Sequence, residues 1–254
     1  MSLLLAFALA GCATQVPTPA PPRSDPSAAW QTLLARIVTT DGLVRYDLLR
    51  EDPTALRDFV GWIAVHGPET DSYRLLDDNR RLAWHLNAYN ALALWGVLQA
   101  GPIASVKDVP GFFWRQAFAI DGERMSLHTY ESRVLLPTYE EPLVHAALVC
   151  ASRSCPPLSP QLYRSADLQV QLEGRMRTWV GATDPTRAAV TWDGDELVFN
   201  PIFDWYHRDF RDWAGAENPC EAVRPYANSF LRAHLDAPGC PHRFYDYDWG
   251  LNEG

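Results

Sequence analysis

Apolar side chains recur every three or four positions over several long stretches of the chain, which is the spacing of amphipathic helices. The first such stretch covers residues 28–39, and a second follows Pro53. The longest runs from about residue 71 to residue 99 and stops at Gly101-Pro102, a pair typical of helix ends. The same pattern predicts further helices over residues 127–135, 166–181, 203–213 and 222–235.

Alternating apolar and polar positions predict two β-hairpins, over residues 118–125 around an Asp-Gly turn and over residues 190–199. A continuous apolar run over residues 144–149 predicts a buried strand. Helices outnumber strands, and most strands cluster in hairpins. We therefore predict the α+β class, with a single domain of several helices packed on a small, mainly antiparallel sheet.

The first twelve residues form an apolar run that ends in Leu9-Ala10-Gly11-Cys12. The run is too short to span a bilayer, which takes about 20 apolar residues, and it fits the core of a secretory signal. The tetrapeptide resembles the bacterial lipobox, in which the cysteine receives a lipid. Residues 1–12 are thus predicted to be a lipoprotein signal peptide with Cys12 lipidated; an ordinary signal peptide is the alternative.

Proline density over residues 13–27 predicts an extended, semi-rigid linker between the lipid and the domain, which then covers residues 28–254. In Gram-negative lipoproteins, Asp directly after the lipidated cysteine is typical of retention in the inner membrane. By resemblance to them, Ala13 at this position favours the outer membrane. We therefore expect the protein in the bacterial cell envelope, facing the periplasm, with the outer membrane favoured over the inner one.

Charge limits the partners that the domain can take. The net charge is −9, and Lys107 is the single lysine in the sequence. Because nucleic acid binding depends on neutralising phosphates, an acidic chain without a basic stripe argues against it. The predicted partners are the membrane, through the N-terminal lipid, and an unknown ligand or envelope protein; no cofactor is predicted.

Four cysteines remain if Cys12 is lipidated, and an even number in an oxidising compartment indicates two disulfides. Three connectivities are possible. The pairing between sequence neighbours joins Cys150 to Cys155 and Cys220 to Cys240, the latter two lying in turn-like Pro and Gly settings.

Candidate chemistry is concentrated in residues 144–158. His145 lies in the apolar run, and Cys155 precedes Pro156-Pro157, a position that predicts the N-terminus of a helix and a thiol of lowered pKa. Cys155 would then be a nucleophile and His145 its base, as in papain-type acyl transfer, with Glu131 or Asn87 orienting the imidazole. A Cys150–Cys155 disulfide is the competing interpretation. A zinc site on the histidine and these two cysteines is a third, but their spacing fits no CxxC pair, and no metal is predicted.

Asn87 and Asn90 lie three positions apart on the long helix, on one face, with Tyr89 beside them. We interpret the three as candidate ligand-binding residues; the alternative is that the amides tie neighbouring loops by hydrogen bonds. Buried polar side chains must find partners, so we predict that both asparagines converge with His145, Glu131 and Cys155 on one cleft. The segment from Tyr206 to Asp209 is a weaker site signal.

Several segments together resemble the DUF547 family, a domain of uncharacterised function in bacterial exported proteins and in plants. The resemblance rests on residues 84–91 (WHLNAYNA), 125–135 (MSLHTYESRVL), 145–158 (HAALVCASRSCPPL), 202–210 (IFDWYHRDF) and 247–252 (YDWGLN). Ser132, Leu143 and Ala146 depart from the family's pattern. The resemblance implies a fold and the location of a site, but no reaction.

Two functional hypotheses follow. The favoured one is an envelope-anchored lipoprotein that binds a ligand or partner at a polar cleft around His145 and Asn90. The other is a cysteine-dependent hydrolase or acyltransferase that uses Cys155 and His145.

Overall fold

Helices form where the apolar periodicity predicts them. The computed structural model describes residues 13–70, 77–194, 196–236 and 238–254, so Cys12 and the lipobox lie outside the described residues. The helices of the first half are α1 (Ser27–Ile37), α2 (Tyr46–Glu51), α3 (Thr54–Ile63) and α4 (Asp78–Ala100). Those of the second half are α5 (Leu127–Thr129), which runs through a π-helical segment (Tyr130–Leu135) into α6 (Leu136–Tyr139), then α7 (Leu168–Val180), α8 (Ile202–Trp205), α9 (His207–Ala214), α10 (Pro219–Val223) and α11 (Ser229–Leu235).

Helix α4 forms the centre of the domain. The Asp77 side chain caps its N-terminus by accepting a hydrogen bond from the Arg80 amide at 3.0 Å. Gly101, with φ of 77°, ends it in a conformation that suits glycine. Most of the helix from Leu82 to Val97 is buried, because it is apolar on nearly every face and is covered on all of them.

The predicted single helix over residues 222–235 is broken. Helix α10 ends at Val223, a 3₁₀ turn (Arg224–Tyr226) follows, and α11 begins anew at Ser229. Pro225 removes one backbone donor, and the Asn228 side chain caps the new helix by accepting from the Leu231 amide at 2.9 Å.

Both predicted hairpins are confirmed, and each gains a parallel third strand from a distant part of the chain. One sheet has the order β1 (Thr14–Gln15), β2 (Gln116–Ile120), β3 (Glu123–Met125), and the other has the order β4 (Val190–Asp193), β5 (Glu196–Phe199), β6 (His242–Phe244). In each sheet the hairpin pair is antiparallel and the added strand is parallel. The α+β class and the single domain are confirmed, with two small mixed sheets in place of one mainly antiparallel sheet.

The buried strand predicted over residues 144–149 is wrong. Residues Pro142–Ala146 form a 3₁₀ turn, started by the Glu141 carboxylate, which accepts from the Leu143 amide at 2.9 Å. An apolar run indicates burial, and burial alone does not separate a strand from a covered turn. The residues that follow this turn are bonded to a side chain of α4 and not to a neighbouring strand.

The proline-rich segment lies against the domain instead of projecting as a spacer. Thr14 and Gln15 pair with Gln116 and Ala117 of β2, and Val16 is buried. Further along, the Trp95 indole donates to the Pro17 carbonyl at 3.0 Å. Prolines restrict the backbone to extended conformations, and an extended strand can join the edge of a sheet. Within the described ranges, none of the helices has the length and apolar character needed to cross a bilayer.

Candidate functional site

A cleft of about 400 Å³ opens where the π-helical segment, the loop after the 3₁₀ turn, α8 and the C-terminal segment meet. Its walls are mainly aromatic. The aromatic lining residues are Tyr89, Phe113, Trp114, Trp205, Tyr206, Tyr247 and Trp249. Its polar and sulfur-containing lining residues are His128, Glu131, His145, Cys150 and Cys155. Mostly apolar walls with a few converging polar groups are typical of small-molecule sites.

Three aromatic side chains, one from α8 and two from the C-terminal segment, form one wall of the cleft. Trp205 and Trp249 stack with an interplanar angle of 18° and a centroid distance of 5.8 Å. Tyr247 lies beside both, at 4.9 Å from the Trp205 ring and 4.6 Å from the Trp249 ring. Trp205 is 48% exposed and Trp114 is 63% exposed, so indole surface remains open to a ligand at the rim.

Glu131 provides a carboxylate inside this aromatic enclosure. The Tyr89 hydroxyl donates to Oε2 at 2.8 Å, and the Tyr206 hydroxyl donates to Oε1. Burial raises the pKa of the Tyr89 phenol well above its ordinary value, and the Glu131 carboxylate raises that pKa further. Burial and the same carboxylate also raise the pKa of Tyr206. Both phenols therefore stay protonated and donate, and each carboxylate oxygen accepts one hydrogen bond.

His145 is held by Asp209, and not by Glu131 or Asn87 as expected. The imidazole Nε2 lies 2.8 Å from Asp209 Oδ2, and because a carboxylate only accepts, Nε2 carries the proton. The His145 side chain is 2% exposed, and its ring packs on Tyr206 at a centroid distance of 4.1 Å. The remaining ring nitrogen, Nδ1, is therefore the basic one. Asp209 thus positions the His145 imidazole in the manner used in general base catalysis.

The cysteines Cys150 and Cys155 lie at disulfide distance, with their Cα atoms 6.3 Å apart. Cys155 is buried, whereas Cys150 is partly exposed. The Cys155 sulfur accepts from the Cys150 amide at 3.0 Å and from the Tyr247 hydroxyl at 3.2 Å. Burial raises the pKa of Tyr247, so this hydroxyl stays a donor.

The helix N-terminus predicted at Cys155 is not formed. The four residues after it form neither a helix nor a strand, and the Leu158 amide donates to the Gly42 carbonyl at 3.0 Å. Pro157 disfavours the helical conformation of Pro156 before it, which explains why no helix starts there. The other predicted pair, Cys220 and Cys240, also lies at disulfide distance, with Cα atoms 6.1 Å apart, and is not part of the cleft.

Asn87 and Asn90 tie loops to α4 and do not line the cleft. The Asn90 amide donates to the Ala147 carbonyl at 2.9 Å, and its oxygen accepts from the Val149 amide at 2.9 Å. Asn87 makes the matching pair of bonds to the backbone of Tyr163, both at 2.9 Å. Asn90 thereby fixes the loop that carries the cysteines, so its contribution to the site is indirect.

The structure brings Cys155, His145, Glu131 and Tyr89 together at one cleft and places the two asparagines behind it. The alternative of a zinc site is not supported, since no group of three or more possible ligands for a metal ion forms among the residues described. The aromatic wall was not predicted from the sequence, and Asp209 belonged only to the weaker signal from Tyr206 to Asp209. Both belong to the segments over residues 202–210 and 247–252, which the family resemblance had already singled out.

Fold and site together define a class of protein: a single α+β domain with an aromatic cleft that holds a carboxylate, a histidine–aspartate pair and a cysteine pair. Residues 73–180 match the model of the DUF547 family, described as a protein of unknown function, which supports this domain family for the chain. The matched range includes Tyr89, Glu131, His145 and both cysteines of the cleft, whereas Asp209 and the C-terminal aromatic wall follow it. No curated protein and no solved structure matches the chain.

Proposed function

We propose that this protein is an envelope-anchored lipoprotein whose aromatic cleft binds a small-molecule ligand or a segment of an envelope partner. The observation that carries the proposal is the composition of the cleft: aromatic walls surround a carboxylate and an imidazole whose hydrogen bonds already hold them in place. Groups fixed before binding lose little freedom when a ligand arrives.

The exposed tryptophans supply a test of the binding function. Trp205 lies in the cleft and is 48% exposed; Trp192 lies elsewhere and is 42% exposed, which makes it a matched control. A small-molecule library screened by ligand-observed NMR should give ligands whose signals weaken with Trp205→Ala and persist with Trp192→Ala. If Trp205→Ala left the signals of all these ligands unchanged, binding in this cleft would be contradicted.

Membrane anchoring is a separate part of the proposal and rests on the sequence Leu9-Ala10-Gly11-Cys12. In a bacterial host, Cys12→Ser should move the protein from the membrane fraction to the soluble fraction, because the lipid would be lost. Retention of this variant in the membrane fraction, measured beside the wild-type protein, would contradict lipid anchoring.

A second candidate function, thiol-dependent acyl transfer, is favoured by the two donors to the Cys155 sulfur and by the His145–Asp209 pair. In the reduced protein, His145 Nδ1 would take the thiol proton, the sulfur would attack an ester carbonyl, and the alcohol would leave with a proton. After mild reduction and treatment with an activated ester, mass spectrometry should find the acyl group on Cys155, with less of it in His145→Asn. Acylation confined to Cys150 would contradict this assignment.

A further inference from the structure

The charged side chains in and beside the cleft are acidic. Glu131 carries a negative charge inside it, and Asp209, 21% exposed at its side chain, adds a second one beside His145. No lysine or arginine is among the described residues that line the cleft. Within the same part of the chain, no basic side chain forms a salt bridge with Glu131, whose hydrogen bonds come from two neutral phenols.

We propose that the ligand of this cleft carries a positive charge, in the form of an alkylated ammonium group; the inference rests on the proposed binding function of the same cleft. A cation at this position would supply the counter-charge that Glu131 lacks, in a site where partial exclusion of water strengthens the attraction. An anionic ligand would be repelled by the same carboxylate.

The aromatic walls favour a cation independently of Glu131. The faces of indole and phenol rings carry negative electrostatic potential and attract ammonium groups within about 6 Å of the ring centroid. The molecule already contains one such contact on a residue of this wall, where Lys107 Nζ lies 4.7 Å from the centroid of Trp249. An ammonium group can therefore sit on this aromatic wall, and the cleft offers further rings for a second one.

Hydrogen-bond capacity determines which ammonium fits. A primary ammonium has three N–H donors that must be satisfied when it leaves water. Both oxygens of Glu131 already accept from Tyr89 and Tyr206, and most of the remaining lining is aromatic ring. A quaternary ammonium needs no acceptors and presents methyl groups to the rings, so it satisfies this lining better.

Choline has a neutral isostere in which a quaternary carbon replaces the nitrogen. Comparing the affinities of the two compounds separates the effect of charge from that of shape. Binding of each to the full-length protein is measured by NMR titration at several salt concentrations. We expect choline to bind at least about tenfold more tightly than the isostere. Glu131→Gln should weaken the binding of choline about tenfold. Glu123→Gln, which removes the same charge from an exposed position on β3, should leave choline affinity unchanged.

The outcomes distinguish this inference from the binding function on which it rests. Equal affinity for choline and the isostere would overturn the cation inference, while cleft binding would stand. Equal losses in Glu131→Gln and Glu123→Gln would also overturn it, since the acidic chain as a whole would then attract the cation. If neither choline nor the isostere bound while neutral library ligands still depended on Trp205, the cation inference would be overturned and ligand binding in the cleft would still be supported. The comparison between the two probes uses the wild-type protein, so it holds even if Glu131→Gln folds poorly.

Discussion

At the scale of single residues, side chains that bond to the backbone of another segment hold the site together. Asn90 is the main example, because it satisfies one carbonyl and one amide in the loop between His145 and Cys150. The sequence showed two asparagines on one helical face and left open whether they bind a ligand or tie loops. Spacing could not decide, since both roles place the amides on the same face.

Replacing this side chain should expose how much the loop depends on it. Asn90→Leu leaves the Val149 amide without a partner and the Ala147 carbonyl with only the Tyr163 hydroxyl at 3.5 Å, which should lower the free energy of unfolding by about 1–3 kcal/mol. Urea denaturation measures the loss. Asn87→Leu is the control, because it frees the backbone of Tyr163 and should reduce stability while leaving ligand binding in the cleft intact. Wild-type stability of Asn90→Leu would contradict the tethering role.

His85 gives a second prediction at this scale, in the stability of the protein against pH. Burial lowers the pKa of His85 from 6.5 to about 4, and its Nδ1 lies 2.7 Å from the Tyr130 hydroxyl. Since the folded pKa is below the unfolded one, the unfolded state binds more protons between these values. The free energy of unfolding should therefore fall as pH drops from 6.5 to about 4, with His85 contributing on the order of 3 kcal/mol.

The measurement is the slope of unfolding free energy against pH, compared between the wild-type protein and His85→Gln. The slope of the variant should be shallower over this interval. His207→Gln, at an exposed position, should keep the wild-type slope. Parallel curves for the wild-type protein and His85→Gln would contradict the assignment.

At the scale of elements, local periodicity predicted the helices well because each buries a regular face. It predicted both hairpins because their turns contain Asp-Gly pairs. It could not predict β1 or β6, since each joins its sheet through a partner about a hundred or about fifty residues away along the chain. The run over residues 144–149 misled for a related reason: its backbone bonds either close a local turn or go to the distant Asn90 side chain, and an apolar run reveals neither.

The turn at Gly42 links an element to the site and provides a third prediction. Gly42 has φ of 77°, and a Cβ atom there would lie 2.4 Å from Pro157 Cβ. Gly42→Ala should therefore reduce stability through backbone strain and through displacement of the segment that follows Cys155. Gly101→Ala shares the φ of 77° but meets nothing within 4 Å, so it measures the strain alone.

We expect Gly101→Ala to lose about 1–2 kcal/mol and Gly42→Ala to lose at least about 1 kcal/mol more, measured by thermal unfolding. Equal losses in the two variants would show that the contact with Pro157 does not constrain this turn.

At the scale of the whole molecule, the cleft depends on a return of the C-terminal segment to the cysteine loop. The Ser154 amide donates to the Asp248 carbonyl at 3.1 Å, and the Asp248 amide donates to Ser154 Oγ at 2.9 Å. These bonds place the Tyr247 hydroxyl against the Cys155 sulfur and bring Trp249 into the lining of the same cleft. Sequence reasoning found the His145 and Cys155 side of the site because its chemistry is concentrated in one segment. It could not find the aromatic wall, whose members are brought together only by the tertiary fold.

If a ligand binds at this aromatic wall, the indole N–H signals of the isotope-labelled protein will report the contact. The chain has 10 tryptophans, each with its own signal, and single substitutions assign those of Trp205, Trp249 and Trp192. During titration with choline and with its neutral isostere, at least one of the two should shift the signals of Trp205 and Trp249 and leave Trp192 in place. Shifts at Trp192 alone, or unmoved Trp205 and Trp249 signals with both compounds and with every library ligand that binds the protein, would contradict binding at this wall.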